Sequence, residues 1–465
     1  MDKLFLSKRM FIDSEFVSGG ILVAPNGKIR SILRSQQEIN SWMYANESDE
    51  TFDFGDYVLM PGLIDSHVHI NEPGRKEWEG FETATKAAAA GGFTTIVDMP
   101  LNSIPPTTTV ENLKIKRDVA RGKVFVDVAF WGGVIPGNEN ELCAMVDQGV
   151  VGFKCFLCPS GVPEFPNVNA DQVEIALQKL QNTDAVLAFH AEICPTTEIQ
   201  VDETQSKKYE TYLKTRPPSM EVDAIKLVTD LSVKYDVRTH IVHLSTADAL
   251  PLIRKCREKR CRLTVETCHH YLNISAEEVP DASTEYKCAP PIRDHNNQKK
   301  LWQALIDGDI NLVVSDHSPS TPGVKMLTYG KNRGDFLKAW GGISSVQFGL
   351  SLFWTQCKNY GMGLSDVVRL MCTAPAELCG INDFKGKIAE GYDADFCVWD
   401  PDDGFTVTQD IVQFQNKANP YMGRKLNGLV HATIVRGSHV FQDGENFRQP
   451  MGNLIERPVT GRKRV

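Results

Sequence analysis

Residues 57–69 read YVLMPGLIDSHVH, an apolar run that ends on two histidines. The same form returns seven times, as FTTIVD (93–98), VFVDVAF (124–130), GVVGFK (149–154), AVLAFH (185–190), THIVH (239–243), RLTVET (262–267) and NLVVSD (311–316). Helix-like stretches separate most of these runs, among them EWEGFETATKAAAA (Glu77–Ala90) and EVDAIKLVTDLSVKY (Glu221–Tyr235). Strands alternating with helices imply parallel βαβ units, and continuous apolar runs suit strands covered on both faces. Eight such units over about 260 residues match the size of a (β/α)8 TIM barrel, an α/β fold. An open doubly wound sheet is the rival. It would show a Gly-rich phosphate turn after an early strand, and none is present.

The chain ends differ in texture. GGILVAPNGKIRSILR (19–34) places Asn26-Gly27 between two strand-like runs, a hairpin signal. DADFCVWDPDDGFTV (393–407) and HATIVRGSHVFQDG (431–444) are similar. We therefore expect one small β-sandwich domain built from both termini, residues 1–57 plus 385–465, around a barrel at 58–384.

Composition narrows the function. The chain has 465 residues, with 50 basic and 59 acidic side chains and a formal net charge of −9. A nucleic-acid binder usually shows a basic patch or stripe, so that class is excluded. No stretch is apolar for the roughly 18 residues of a membrane span. The opening MDKLFLSKRMFIDSEF is not read as a secretory signal, and Lys463-Arg464-Val465 is not a peroxisomal address. The cytoplasm is the default, with the peroxisome or mitochondrion as alternatives. The 12 cysteines are read as reduced thiols. Cys155 and Cys158 form a lone C-x-x-C, read first as loop residues and second as a redox pair.

The chemistry lies in the residues that end the runs: His67 and His69, Asp98, Lys154, His190, His243, Glu266 with Thr267, and Asp316. In a barrel these ends converge on one mouth. His67 and His69, two apart on a strand, point to the same side and can share a metal. Four imidazoles with a carboxylate suit zinc or a similar borderline ion. Any one of these histidines alone would be read as a hydrogen-bonded core residue. Lys154 can form a Schiff base or, between cations, a CO2-derived carbamate. Asp316 can take a proton from a nucleophile and return it to a leaving nitrogen. Asp98 orients a histidine or caps a turn. His240 is structural, and His269 and His270 are not expected to ligate.

The chain is identified as a member of the amidohydrolase superfamily, in its cyclic-amidohydrolase branch. The carrying segments include PGLIDSHVHINEPGRKEWEG (61–80), VGFKCFLCPSG (151–161), AFHAE (188–192), HIVHLST (240–246), KCAPPIRD (287–294), VVSDHSP (313–319), WGGISSVQ (340–347) and NPYMGRKLNG (419–428). The resemblance implies two divalent cations, usually zinc. His67 and His69 match the ligands of one, His190 and His243 those of the other, with Asp316 as ligand and general base. Lys154 matches the bridging N6-carboxylysine. Nucleophilic attack is by a bridging hydroxide. Relatives suggest a homotetramer.

Within the branch the chain is most similar to allantoinases. Dihydroorotases carry Arg where this chain has Asn71, and a neutral amide cannot pair with a carboxylate. The expected substrate is therefore allantoin, opened to allantoate in purine breakdown. Expected contacts are Asn71, Asn102, Cys288, Ser318, Trp340 and Gly341. The alternative role for Asn102 is that of a turn residue. The alternatives are a dihydropyrimidinase or hydantoinase acting on another cyclic amide, and a non-enzymatic scaffold of that branch.

Overall fold

The computed structural model describes residues 1–46, 50–197, 199–445 and 447–458, so Lys463-Arg464-Val465 lies outside the described residues. Eight parallel strands form the barrel: β1 (Leu63–Val68), β2 (Phe93–Asp98), β3 (Asp127–Phe130), β4 (Gly152–Phe156), β5 (Val186–His190), β6 (Arg238–Ile241), β7 (Leu263–Cys268) and β8 (Leu312–Val314). They coincide with the eight apolar runs. β1, β2 and β3 pair in order, and β4 through β8 pair in order. A two-residue strand, Gly132–Gly133, carries the ladder from β3 to β4. The ring closes where Val68 bridges His317 and the His69 N–H donates to the His317 carbonyl at 2.8 Å.

The helices pack by their apolar faces. In Phe81–Ala90 the residues Ala84, Ala87, Ala88 and Ala89 are all fully buried, so the alanine row seats the helix close against the barrel. Asn169 and Gln172 form a capping box at the start of Ala170–Leu180, and Thr109 caps Val110–Ala120. Among the described residues no helix is long and apolar enough to cross a membrane.

Both termini share one eight-stranded sheet. Phe396–Thr406 pairs with Val58–Pro61, which pairs with Lys3–Ile12, and the chain then enters the barrel at Leu63. The sheet curls over its own face. Phe5 and His439 lie on strands four places apart, yet their ring centroids are 6.1 Å apart. The expected hairpin joins Glu15–Val23 to Ile29–Leu33. Gly27 has φ +77° in its turn, and the Asn26 side chain accepts from the Lys28 N–H.

The cysteines are not all reduced thiols. Cys256 and Cys261 form a disulfide, because the chain reverses after Leu250–Glu258 and brings their Cα atoms to 5.9 Å.

A buried charge cluster joins barrel and terminal sheet. Lys385 Nζ donates to Asp127 (2.6 Å), Asp393 (2.9 Å) and Asp395 (2.5 Å), and Arg436 also pairs with Asp127. Burial opposes the Lys385 charge, but the three carboxylates outweigh it and raise its pKa. Removing one member of such a cluster leaves buried charge uncompensated. Lys385→Met is expected to lower unfolding stability by about 3–5 kcal/mol in urea titration. A loss under about 1 kcal/mol would show that the cluster contributes no more than a surface pair.

Candidate active site

Six of the expected residues meet at one mouth of the barrel. His67 comes from β1, Lys154 from β4 and His190 ends β5; His69, His243 and Asp316 stand just past β1, β6 and β8. His243 has φ +41° and Asp316 φ +43°. Positive φ is uncommon outside glycine and clusters at functional sites, where surrounding contacts impose it.

The distances are short. His67 Nε2 lies 3.0 Å from Lys154 Nζ and 3.1 Å from Asp316 Oδ1. His69 Nε2 lies 3.3 Å from the same Asp316 oxygen. His190 Nδ1 faces His243 Nε2 at 2.9 Å. All six side chains are nearly inaccessible to solvent.

Carboxylates set the outward nitrogens. An ionised carboxylate only accepts, so His67 Nδ1–H donates to Glu266, and His190 Nε2–H donates to Glu192 at 2.7 Å. The inward nitrogen of His190 keeps its lone pair, and that of His67 faces Lys154 and Asp316. Burial pushes His69 down to about 3, and lowers His190 and His243 as well. Burial also lowers Lys154, against the pull of Asp316 and Glu266. For Glu266 burial pushes upward, but His67 and His240 prevail and hold it at about 2. For Asp316 burial is likewise overcome, by His67 and His69. For His67 burial is overcome by Asp316 and Glu266, which raise it, so three neutral imidazoles, one imidazole favouring its proton, a poorly charged amine and an ionised carboxylate face one another. His243 Nδ1 is buried without a partner. This donor set, with carboxylates behind two of the histidines, fits divalent cations.

The cavity beside this cluster is lined by Asn102, Cys288, Ser318, Trp340 and Gly341, together with Arg216. Asn71 is elsewhere. Its turn, at φ +66°, sends Nδ2 to the Pro319 carbonyl at 3.2 Å, so it does not line the cavity. Asp98 contacts no histidine. It accepts from the Ile70 N–H at 2.9 Å and pairs with buried Lys116 at 2.6 Å, fixing the backbone that follows His69. Cys155 and Cys158 are buried and not joined. Burial raises both thiols, Cys158 to about 12, so neither has thiolate character. His270, Cys268 and Asp316 place one donor atom each within 4.8 Å of one another, while neither ring nitrogen of His270 has a partner.

Sequence reading missed several residues. The sequence alone marks Glu266 only as a strand end and His240 only as structural. Glu266 Oε2 accepts from His240 Nε2–H at 2.9 Å while Oε1 serves His67. Arg216 carried no signal in the sequence, yet pairs with Glu192 at 2.5 Å. Lys287 donates to the Ala339 carbonyl at 2.5 Å and Lys325 to that of Gly342, so two buried amines hold the Trp340–Gly341 wall by its backbone.

An allantoinase of Streptomyces avermitilis is 45% identical over 455 residues, covering 98% of this chain and 99% of its own. The mitochondrial allantoinase of Aquarana catesbeiana is 50% identical over 382 residues, 82% of this chain and 76% of its own. The solved L-hydantoinase (dihydropyrimidinase) of Arthrobacter aurescens superposes with a TM-score of 0.89 at 30% identity, covering 98% of this chain and all of the other. The profile of the amidohydrolase family matches residues 58–440, and the chain belongs to that family.

Proposed function

We propose that this chain is an allantoinase, a metal-dependent hydrolase that opens the hydantoin ring of allantoin to give allantoate. One observation carries the reading. The chain matches proteins named allantoinases over most of its length, and five of the six residues matched to the family's donors line one cavity, with His67 3.0 Å from Lys154.

His67, His69 and Asp316 are proposed to hold one divalent cation, His190 and His243 the other, with Lys154 between them. Such ions, which we take to be zinc, supply Lewis acidity and a nucleophile already deprotonated at neutral pH. The protein residues do the rest. The buried Lys154 amine, near His67 Nε2 at 3.0 Å, would supply the carbamate by adding CO2 and releasing a proton. Asp316 accepts a proton from the nucleophile and delivers it to the ring nitrogen as the amide C–N bond breaks. Asn102, Ser318 and the backbone near Cys288 and Gly341 orient the ring. The guanidinium on this wall, Arg216, is already neutralised by Glu192, which suits an uncharged substrate. The likeness to an L-hydantoinase favours a second reading, hydrolysis of another cyclic amide. We further propose a homotetramer, checked by light scattering. The cytoplasm is the default compartment, and the relative named mitochondrial makes that organelle the alternative to test by fractionation.

Zinc-loaded protein is expected to convert racemic allantoin to allantoate while hydantoin, dihydrouracil and dihydroorotate barely react. Faster turnover of another ring would replace the substrate and keep the mechanism. Protein that binds no metal would be a scaffold. Asp316→Asn should keep the far-UV circular dichroism of the parent and lower kcat by about 10²–10⁴-fold. Near-parental turnover would remove Asp316 from its role. Lys154→Ala should lose activity and regain part of it in added formate or acetate, which can replace the carbamate. Full activity without rescue would refute the carbamate.

A further inference from the structure

Behind the His190 and His243 pair runs a chain of four charged side chains that the mechanism does not use. Glu192 follows β5 and is fully buried. Its Oε2 accepts from His190 Nε2–H at 2.7 Å and from Arg216 Nη1 at 2.5 Å. The Arg216 carbonyl accepts in turn from Arg293 Nη1 at 3.2 Å. Arg293 directs its other nitrogens at Glu221 Oε2, at 2.6 and 3.2 Å. Glu221 Oε1 then accepts the backbone N–H groups of Ser245 (2.9 Å) and Thr246 (3.2 Å). Those amides follow His243, whose positive φ needs such a clamp.

The chain thus begins on the side chain of one histidine and ends on the backbone beside the other. Among the described residues no hydrogen bond or ion pair joins any of the four to His67, His69 or Asp316. His67 is held instead by Glu266, which also bonds His240 and accepts the His243 N–H at 3.2 Å, while His69 and Asp316 meet each other. Two carboxylates and two guanidiniums sum to zero, so the array is buried without net charge. Arginine is apt here because its rigid fork donates in several directions at once.

We infer that Glu192, Arg216, Arg293 and Glu221 are positioning residues for the His190/His243 half of the centre alone, and so set the affinity for one cation and not the other. This rests on the two-cation reading above. Outer partners of ligating residues typically change metal affinity by about 10–100-fold.

The test counts zinc by mass spectrometry after dialysis against zinc buffers. The parent should hold two ions per chain. Glu221→Gln/Arg293→Met keeps acceptors for Ser245 and Thr246, removes a charge pair together, and should hold one ion where the parent holds two. Its second dissociation constant should rise about 10–100-fold. His69→Asn should also hold one. The combined variant should hold none, because different ions are lost. One ion retained in the combination, or two or none in Glu221→Gln/Arg293→Met, would overturn the inference. A parent without zinc would instead remove the function proposed above, and this inference with it. If the double variant fails to fold by circular dichroism, Arg216→Gln breaks the chain at the cavity wall, and the same counts decide.

Discussion

Glu266 is the carboxylate on which the mouth of the barrel depends. Its two oxygens reach three donors from two strands: His67 Nδ1 from β1, His240 Nε2 from β6, and the His243 N–H just beyond β6 at 3.2 Å. A fully buried carboxylate is expensive unless its lone pairs are used. Here the donors that satisfy it are those that must be aligned. Because Glu266 can only accept, His67 Nδ1 carries a proton, which turns Nε2 toward Lys154 and Asp316. The requirement of one acidic group for partners therefore determines the orientation of a ring from a strand on the far side of the closure.

The same logic recurs at the opposite end of the strands. Asp127 begins β3, and its charge is met by Lys385 and Arg436 from the C-terminal half of the chain. Buried ion pairs are weak evidence of net stabilisation, yet they permit few alternative arrangements. Apolar packing of the curled sheet on the barrel leaves room for sliding. An arginine and a lysine seated on one aspartate leave far less.

The strands were legible because a strand buried on both faces must be apolar along its length. Their polar last residues stood out against that background, so His67, Lys154 and His190 could be read directly. Glu192, Arg216 and Lys325 could not. Glu192 lies two residues after His190 but past the end of the strand, and the partners of Arg216 and Lys325 stand 24 and 17 residues away in the chain. Asn71 was misplaced for a local reason. Its residue type suits an amide contact, but the same type tolerates positive φ, and the turn it makes points the amide at Pro319. Asp98 shows the same limit, since a strand-end aspartate and a lysine 18 residues later give no hint of pairing in sequence. The Cys256–Cys261 bridge depends on a chain reversal that composition does not encode.

The cavity's charge arrangement bears on what can occupy it. Arg216 is neutralised by Glu192, and the amines of Lys287 and Lys325 are turned onto carbonyls behind the wall. Burial pulls both lysines down to about 8, so both remain mostly protonated at neutral pH, with their donors directed at those carbonyls. A ligand entering as an anion would find no free guanidinium on this wall and would have to approach the ionised Asp316. A neutral ring with amide edges meets side-chain and backbone groups able to hydrogen-bond. Ring opening then creates a carboxylate in a cavity that holds no unpaired arginine for it. Binding that suits the uncharged ring better than the opened anion favours turnover, because the product is not retained.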